Sequence, residues 1–260
     1  MDMPVKTLPI FKKQPVSAGS VVLEVSGLCK SFGENHVLKN FNLQLHKGEN
    51  LVVLGKSGSG KSVLIKCIIG LLQPDSGTIN MFGQNVPDLD HDELDKLRIR
   101  AGFLFQSNAL YDSMTVRENL EFPLRRHRKN LVQNDVNDRV MQALEDVGLE
   151  YTVDMMPAEL SGGMRKRIAL ARTLILQPEI ILYDEPTTGL DPITSKEIIE
   201  MIVEIQKKYN ASSIVISHDM TCVRMTANRV IVLVEGRCYA AGTWEELKKS
   251  DDPKVKQFFE

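Results

Sequence analysis

Cysteine is scarce and scattered in this chain of 260 residues: Cys29, Cys67, Cys222 and Cys238 form no close pair, and the five histidines form no cluster with them. That spacing argues against a disulfide framework or a metal-ligand set and points to the reduced thiols of a cytosolic protein. Excess charge of either sign is also lacking. The 32 Lys and Arg against 34 Asp and Glu leave a net charge of −2, which disfavours a partner held by phosphate neutralisation, so no nucleic acid is expected. No stretch approaches the roughly 18–20 consecutive apolar residues that span a bilayer; the longest runs are short ones such as Val230 to Val234. Residues 1–20 carry Lys6, Lys12, Lys13 and three prolines without an apolar core or cleavage site. They read as a flexible lead-in, and no secretory signal is expected.

What is present is ordinary globular material, 43% hydrophobic and 25% charged, enough for a core and too apolar for disorder. Apolar and polar residues alternate over Val21–Val25 and Phe41–Leu45, and Leu51–Leu54 is wholly apolar. The pattern predicts two antiparallel strands followed by a buried one. A helix is expected over Lys61–Leu72, closed by Pro74, then a turn at Asp75-Ser76-Gly77 and a strand at Thr78–Phe82. Between about Gln106 and Gln177 the signal is helical, with Val136, Val140, Leu144 and Val147 on one face and Ile168, Ala171 and Ile175 on another. Strands at Ile180–Tyr183 and Ile214–Ile216 flank a helix at Thr194–Tyr209. This βαβ alternation predicts an α/β fold with a parallel sheet, and no internal repeat is visible.

Three segments carry chemistry. Gly55, Lys56, Ser57, Gly58, Ser59, Gly60, Lys61 and Ser62 satisfy G-x-x-x-x-G-K-[ST] between a buried strand and a helix. There, glycines let successive backbone N–H groups turn toward a phosphate and the helix start presents its positive end. Lys61 is expected to bridge the β- and γ-phosphates and Ser62 to ligate Mg²⁺. The strand Ile180–Tyr183 ends in Asp184 and Glu185, two acids costly to hold side by side without a cation. Asp184 is expected to orient the metal and Glu185 to polarise the attacking water. Ser161, Gly162 and Gly163 open a helix, with Ser161 as cap, and form a second anion-binding start.

Together these residues resemble the nucleotide-binding subunit of an ATP-binding cassette (ABC) transporter from Val22 to about Glu260. The resemblance implies a P-loop NTPase with a RecA-like core, an antiparallel β subdomain and an inserted helical subdomain at about 107–177, within a cassette at 21–250 and a short segment at 251–260. It implies that Phe32 stacks on adenine, that Gln106 senses Mg²⁺ and γ-phosphate, that Asp191 belongs to the loop Thr188-Gly189-Leu190-Asp191, and that His218 contacts the γ-phosphate. ATP would be sandwiched between two copies, the phosphate loop of one facing Ser161 and Gly163 of the other, and the motion passed to permease subunits through the surface around residues 107–130. Met164 departs from the commoner Gln, and S-x-x-M cannot close a capping box. Leu160-Ser161-Gly162-Gly163-Met164, the stretch Asn108–Leu120 and the stretch Asp252–Phe259 are similar to the ATPases of bacterial Mla-type phospholipid transport systems. That implies an Mce-domain partner, a role in outer-membrane lipid asymmetry and a peripheral position on the inner face of the cytoplasmic membrane.

Other readings stay open from sequence alone: a regulatory cassette that moves no substrate, a cassette for another cargo, or a soluble cassette acting on ribosomes or DNA. The basic run Arg125-Arg126-His127-Arg128-Lys129 reads as a solvated face. So does Arg165-Lys166-Arg167, although three consecutive helical residues cannot all face one way, which leaves at least one of them a candidate to approach nucleotide or permease. Tyr111, Met114, Pro123 and Leu124 are candidates for an apolar groove that receives a permease helix.

Overall fold

The computed structural model describes residues 19–128 and 131–260. The expected lead-in over 1–18 and Lys129 of the basic run lie outside the described residues. The two alternating segments extend into long strands, β1 (Val21–Phe32) and β2 (Asn35–His46), joined at Gly33, whose φ of 59° suits the tight turn. Leu23, Val25 and Leu28 of β1 and Phe41, Leu43 and Leu45 of β2 are buried on one face. β3 (Asn50–Leu54) is buried at every position, as a strand flanked on both sides requires. Helix α1 (Lys61–Ile68) stops short of the expected Leu72. Gly70 at φ 70° turns the chain, and Leu71 N–H returns to the Lys66 carbonyl at 2.8 Å. The next strand, β4 (Ser76–Met81), leads to a two-residue strand, β5 (Gln84–Asn85).

Two elements were not legible as such: helix α2 (His91–Arg100), opened by an Asp90–Glu93 capping box, and strand β6 (Ala101–Leu104). The helical region begins at Val116 rather than Gln106, with α3 (Val116–His127), α4 (Gln133–Glu145) and α5 (Gly162–Leu174). Val136, Val140 and Leu144 form the buried face of α4, as their spacing predicts. The remaining elements are β7 (Ile180–Asp184), α6 (Pro192–Tyr209), β8 (Ser212–Ser217), α7 (Met220–Thr226), β9 (Arg229–Val234), β10 (Arg237–Gly242), α8 (Trp244–Lys248) and α9 (Pro253–Lys256).

The strands form two sheets. The smaller is antiparallel in the order β2-β1-β4-β5, and the larger runs β10-β9-β3-β8-β7-β6. In the larger sheet β6, β7, β8, β3 and β9 are parallel, with β10 antiparallel at one edge. Successive residues serve opposite faces: Val52, Leu54, Ile181, Tyr183 and Val215 join the core under the helices, whereas Leu51, Val53, Ile180, Leu182 and Ile214 pack toward α1 and the smaller sheet. Because the central strands are parallel, the segments after Leu54, Leu104, Asp184 and Ser217 emerge along one edge of the sheet, the edge where open α/β sheets bind ligands.

An ion pair ties the sheets together. Arg229 at the start of β9 donates from Nε to Glu49 Oε1 at 2.7 Å and from Nη2 to the Gln44 carbonyl at 2.5 Å. Burial pushes the Glu49 carboxyl up, but the bonds from Arg229 and from the His46 backbone outweigh it and hold the pKa below the usual range. A depressed carboxylate contributes stability that is present above its unfolded pKa and lost as pH falls through the folded value. Glu49→Gln is therefore expected to lower stability by about 2 kcal/mol at pH 7. Urea titrations should show the gap to wild type closing in acid, below pH 4.5; a constant gap from pH 7 to 3 would refute the ionic contribution.

Candidate nucleotide site

The loop after β3 folds around its own backbone. Gly58 and Gly60 adopt φ values of 77° and 102°, and Gly60 caps α1 with no side-chain acceptor and no acid in the first turn. The first amides of α1 thus have no acceptor from a capping side chain, the arrangement that suits an anion. Gly55 is required by closeness, since a Cβ there would lie 2.6 Å from Ser59 Oγ and 3.0 Å from the Leu233 carbonyl. Ser59 Oγ is itself buried without a hydrogen-bond partner, an unmet polar atom in a loop of phosphate-binding sequence.

Lys61 is buried, with Nζ donating to the carbonyls of Gly55 at 2.8 Å and Lys56 at 3.1 Å. It lies 3.3 Å from Glu185 Oε1, so the cation demanded by the two acids comes first from the loop itself. Ser62 Oγ donates to Asp184 Oδ1 at 3.0 Å. Burial, and secondarily the neighbouring Glu185 charge, push the Asp184 carboxyl upward despite that bond. His218, at the end of β8 with its side chain 55% exposed, places Nδ1 2.8 Å from Glu185 Oε2. Glu185 has φ 49°, a left-handed turn that swings its side chain off the end of β7 between Lys61 and His218.

This donor set fits a magnesium ion. One hydroxyl and one carboxylate in contact are what Mg²⁺ uses when water and phosphate oxygens complete its shell, and among the described residues no cluster of three or more His, Cys, Asp or Glu offers an all-protein cage.

The other residues singled out lie apart from this group. Phe32 ends β1, 49% exposed, with Lys30 Nζ 5.4 Å from its ring centroid. Gln106 is exposed, and among the described residues no hydrogen bond joins its side chain to Ser62 or Asp184. Ser161 caps α5 by accepting from Met164 N–H at 3.2 Å, without a capping box. A Cβ on Gly163 would meet Thr194 Cγ2 at 2.6 Å, so that glycine also permits α5 to approach α6. Asp191 caps α6, accepting from the Ile193 and Thr194 amides and from Thr194 Oγ1 at 2.5 Å; the Thr194 bonds hold its pKa down. No hydrogen bond or ion pair among the described residues joins the Ser161–Gly163 turn to the Gly55–Ser62 loop.

The reading of Arg165-Lys166-Arg167 as a solvated face is corrected at Lys166, which is buried with Nζ against the carbonyls of Phe105 and Gln106. The signal was available: residues 166, 170 and 174 share one helical face, and Leu170 and Leu174 are apolar.

A glycine-rich loop of G-x-x-x-x-G-K-[ST] sequence, a pair of acids and a histidine at one edge of a parallel sheet make up the arrangement of an ATPase cassette. A family model described as ABC transporter matches residues 38–188, over half of the chain, and the chain belongs to that family. It is 40% identical over 91% of its length to the intermembrane phospholipid transport system ATP-binding protein MlaF of Haemophilus influenzae, covering 89% of that protein. It is likewise 40% identical over 92% of its length to the probable ribonucleotide transport ATP-binding protein mkl of Mycobacterium leprae, covering 68% of it. Among solved structures, the dimeric post-hydrolysis state of the ATP-binding cassette MJ0796 bound to ADP and Pi matches with a TM-score of 0.78 at 32% identity, covering 85% of this chain and 98% of that one.

A raised carboxyl pKa means that the folded protein resists the charged form, so stability falls as pH rises through the window between the unfolded and folded values. Asp184→Asn is thus expected to stabilise the nucleotide-free chain at pH 7, on the order of 1 kcal/mol. The advantage should vanish in acid below both values; thermal unfolding scans in which Asn gives no gain at pH 7 would sink this account.

Proposed function

We propose that this chain is the ATP-hydrolysing subunit of a membrane transporter for phospholipid, working as a pair of identical cassettes on a permease. The observation that carries the chemistry is the cluster at the sheet edge: Lys61 at 3.3 Å and His218 at 2.8 Å from Glu185, beside Ser62 at 3.0 Å from Asp184. The cargo rests on the MlaF relative, an ATP-binding protein of intermembrane phospholipid transport, which this chain matches nearly end to end.

The backbone amides of Gly58 to Ser62 would cradle the β-phosphate, and Lys61 would turn from the Gly55 and Lys56 carbonyls to the β- and γ-phosphates. Ser62 and Asp184 would hold Mg²⁺, which when bound neutralises charge across those phosphates. Glu185 would accept a hydrogen bond from the attacking water and align it for in-line displacement, with His218 fixing the carboxylate and reaching toward the γ-phosphate. Phe32, exposed at the end of a strand, is suited to stack on adenine. Gln106 would report the cation and γ-phosphate to the permease. A second copy would bring its Ser161, Gly162 and Gly163 helix start against the γ-phosphate, with Asp191 at the seam. Among the described residues no helix is long and apolar enough to cross a membrane. We place the chain on the inner face of the cytoplasmic membrane, held there by the permease, with an Mce-domain lipid-binding protein in the same assembly.

Two measurements test this reading. Lys61→Ala should weaken ATP binding by about 100-fold, roughly 3 kcal/mol for a charge-assisted contact; near-normal affinity by titration calorimetry would remove Lys61 from that role. Glu185→Gln keeps the shape of the side chain and loses the charge that polarises water. With ATP and Mg²⁺ it should accumulate as a dimer in gel filtration while hydrolysis falls by at least about 100-fold, and a monomer that turns ATP over at the wild-type rate would overturn the assignment.

A further inference from the structure

Helix α5 holds the end of β6 and the loop that follows it with three side chains, Thr173 on the strand and Lys166 and Arg172 on the loop. Lys166, 1% exposed, donates from Nζ to the carbonyls of Phe105 at 3.3 Å and Gln106 at 3.0 Å. Arg172 donates from Nη1 to the Ala109 carbonyl at 2.8 Å and from Nη2 to that of Asn108 at 3.3 Å, and Thr173 Oγ1 reaches the Phe103 carbonyl at 3.3 Å. The loop needs this support. Asn108 and Ala109 both lie in the left-handed region, at φ 64° and 53°, which side chains other than glycine adopt at a cost. The loop's own backbone bonds are short-range, from Asn108 N–H to Phe105 and from Ala109 N–H to Ser107.

A lysine is a costly choice for such a position. Burial drives its pKa down to about 8, and the charge of Asp184 at the end of β7 offsets this only in part. A leucine or methionine would complete the apolar face of α5 without that penalty, and replacing a buried ion by a packed apolar residue is often neutral or stabilising. The ammonium is therefore explained by what it holds rather than by stability.

We infer that Lys166 is a positioning residue that fastens the Gln106 loop to helix α5, so that the helix start at Ser161 and the glutamine move as one body. The inference rests on the proposed nucleotide site and deepens it. One end of α5 would meet the partner copy's nucleotide while its flank fixes the loop that reads the chain's own. Alignment of Gln106 then depends on a cation contributed by the helix that faces the other site.

The test compares the full-length wild type with Lys166→Met and Lys166→Arg. In Lys166→Met the melting temperature should stay within about 3 °C, while amide exchange over residues 106–109 should quicken about tenfold and exchange over 55–62 should not change. ATP hydrolysis at saturation should fall about tenfold with KM within about twofold, because the phosphate loop that sets affinity is untouched. Lys166→Arg, which keeps a buried cation with donors to spare, should restore both readouts. Unaltered exchange over 106–109 in Lys166→Met, or an arginine variant as impaired as the methionine one, would overturn the inference. If Lys166→Met does not fold, Lys166→Gln carries the same comparison. A wild-type chain without Lys61-dependent hydrolysis would instead sink the nucleotide reading, and the exchange comparison would still decide the fastening.

Discussion

One buried ammonium group organises the site. Lys61 Nζ bonds to the carbonyls of its own loop and faces the Glu185 carboxylate across 3.3 Å, and each neighbour is placed by a different strand of the same sheet. The loop follows β3, the carboxylates close β7 and His218 follows β8. Parallel pairing is what brings these three chain segments to a common edge. An antiparallel arrangement of the same strands would send alternate segments to opposite ends.

The site is also tuned against its own stability. Asp184 is held buried with its ionisation disfavoured, and Glu185 occupies a backbone conformation that most residues avoid. Both features are familiar where charge is to be met by a ligand rather than by solvent. Glycines complete the picture through contact as much as flexibility. Gly55 admits Ser59 and the β9 carbonyl at Leu233, and Gly163 admits Thr194. A Ser-Gly-Gly helix start thus reads as an anion site from outside and as a helix-packing site from within.

The legible parts of the fold were those with strong local signals. The buried run Leu51–Leu54, the glycine-rich loop and the acid-terminated strand Ile180–Asp184 each declare themselves by composition, and the α4 face by its period. Less legible was β6, only four residues long, whose pattern merges with the flanking helices and which is a strand because β7 lies beside it. Helix α2 is strongly charged, with Leu97 its buried residue, so its apolar stripe is faint even though its capping box is clear. Lys166 was passed over because lysine in a basic run ordinarily means solvent. Its partners are backbone carbonyls about sixty residues away, as the separations of 61 and 60 positions show, and no local pattern encodes them.

The position of β3 in the larger sheet has a consequence for how the protein is made. Its two neighbours, β8 and β9, are Ser212–Ser217 and Arg229–Val234, and the turn after β9 reaches back to the smaller sheet, where Lys39 N–H donates to the Gly236 carbonyl at 2.8 Å. A chain synthesised from its N-terminus makes the Gly55–Ser62 loop early, whereas the two strands that flank β3 in the sheet are made late. Long-range parallel pairing is slow to nucleate, and unpaired apolar strands are sticky while they wait. Leu51–Leu54, fully apolar, thus has both of its partners in the larger sheet more than 150 residues further along the chain.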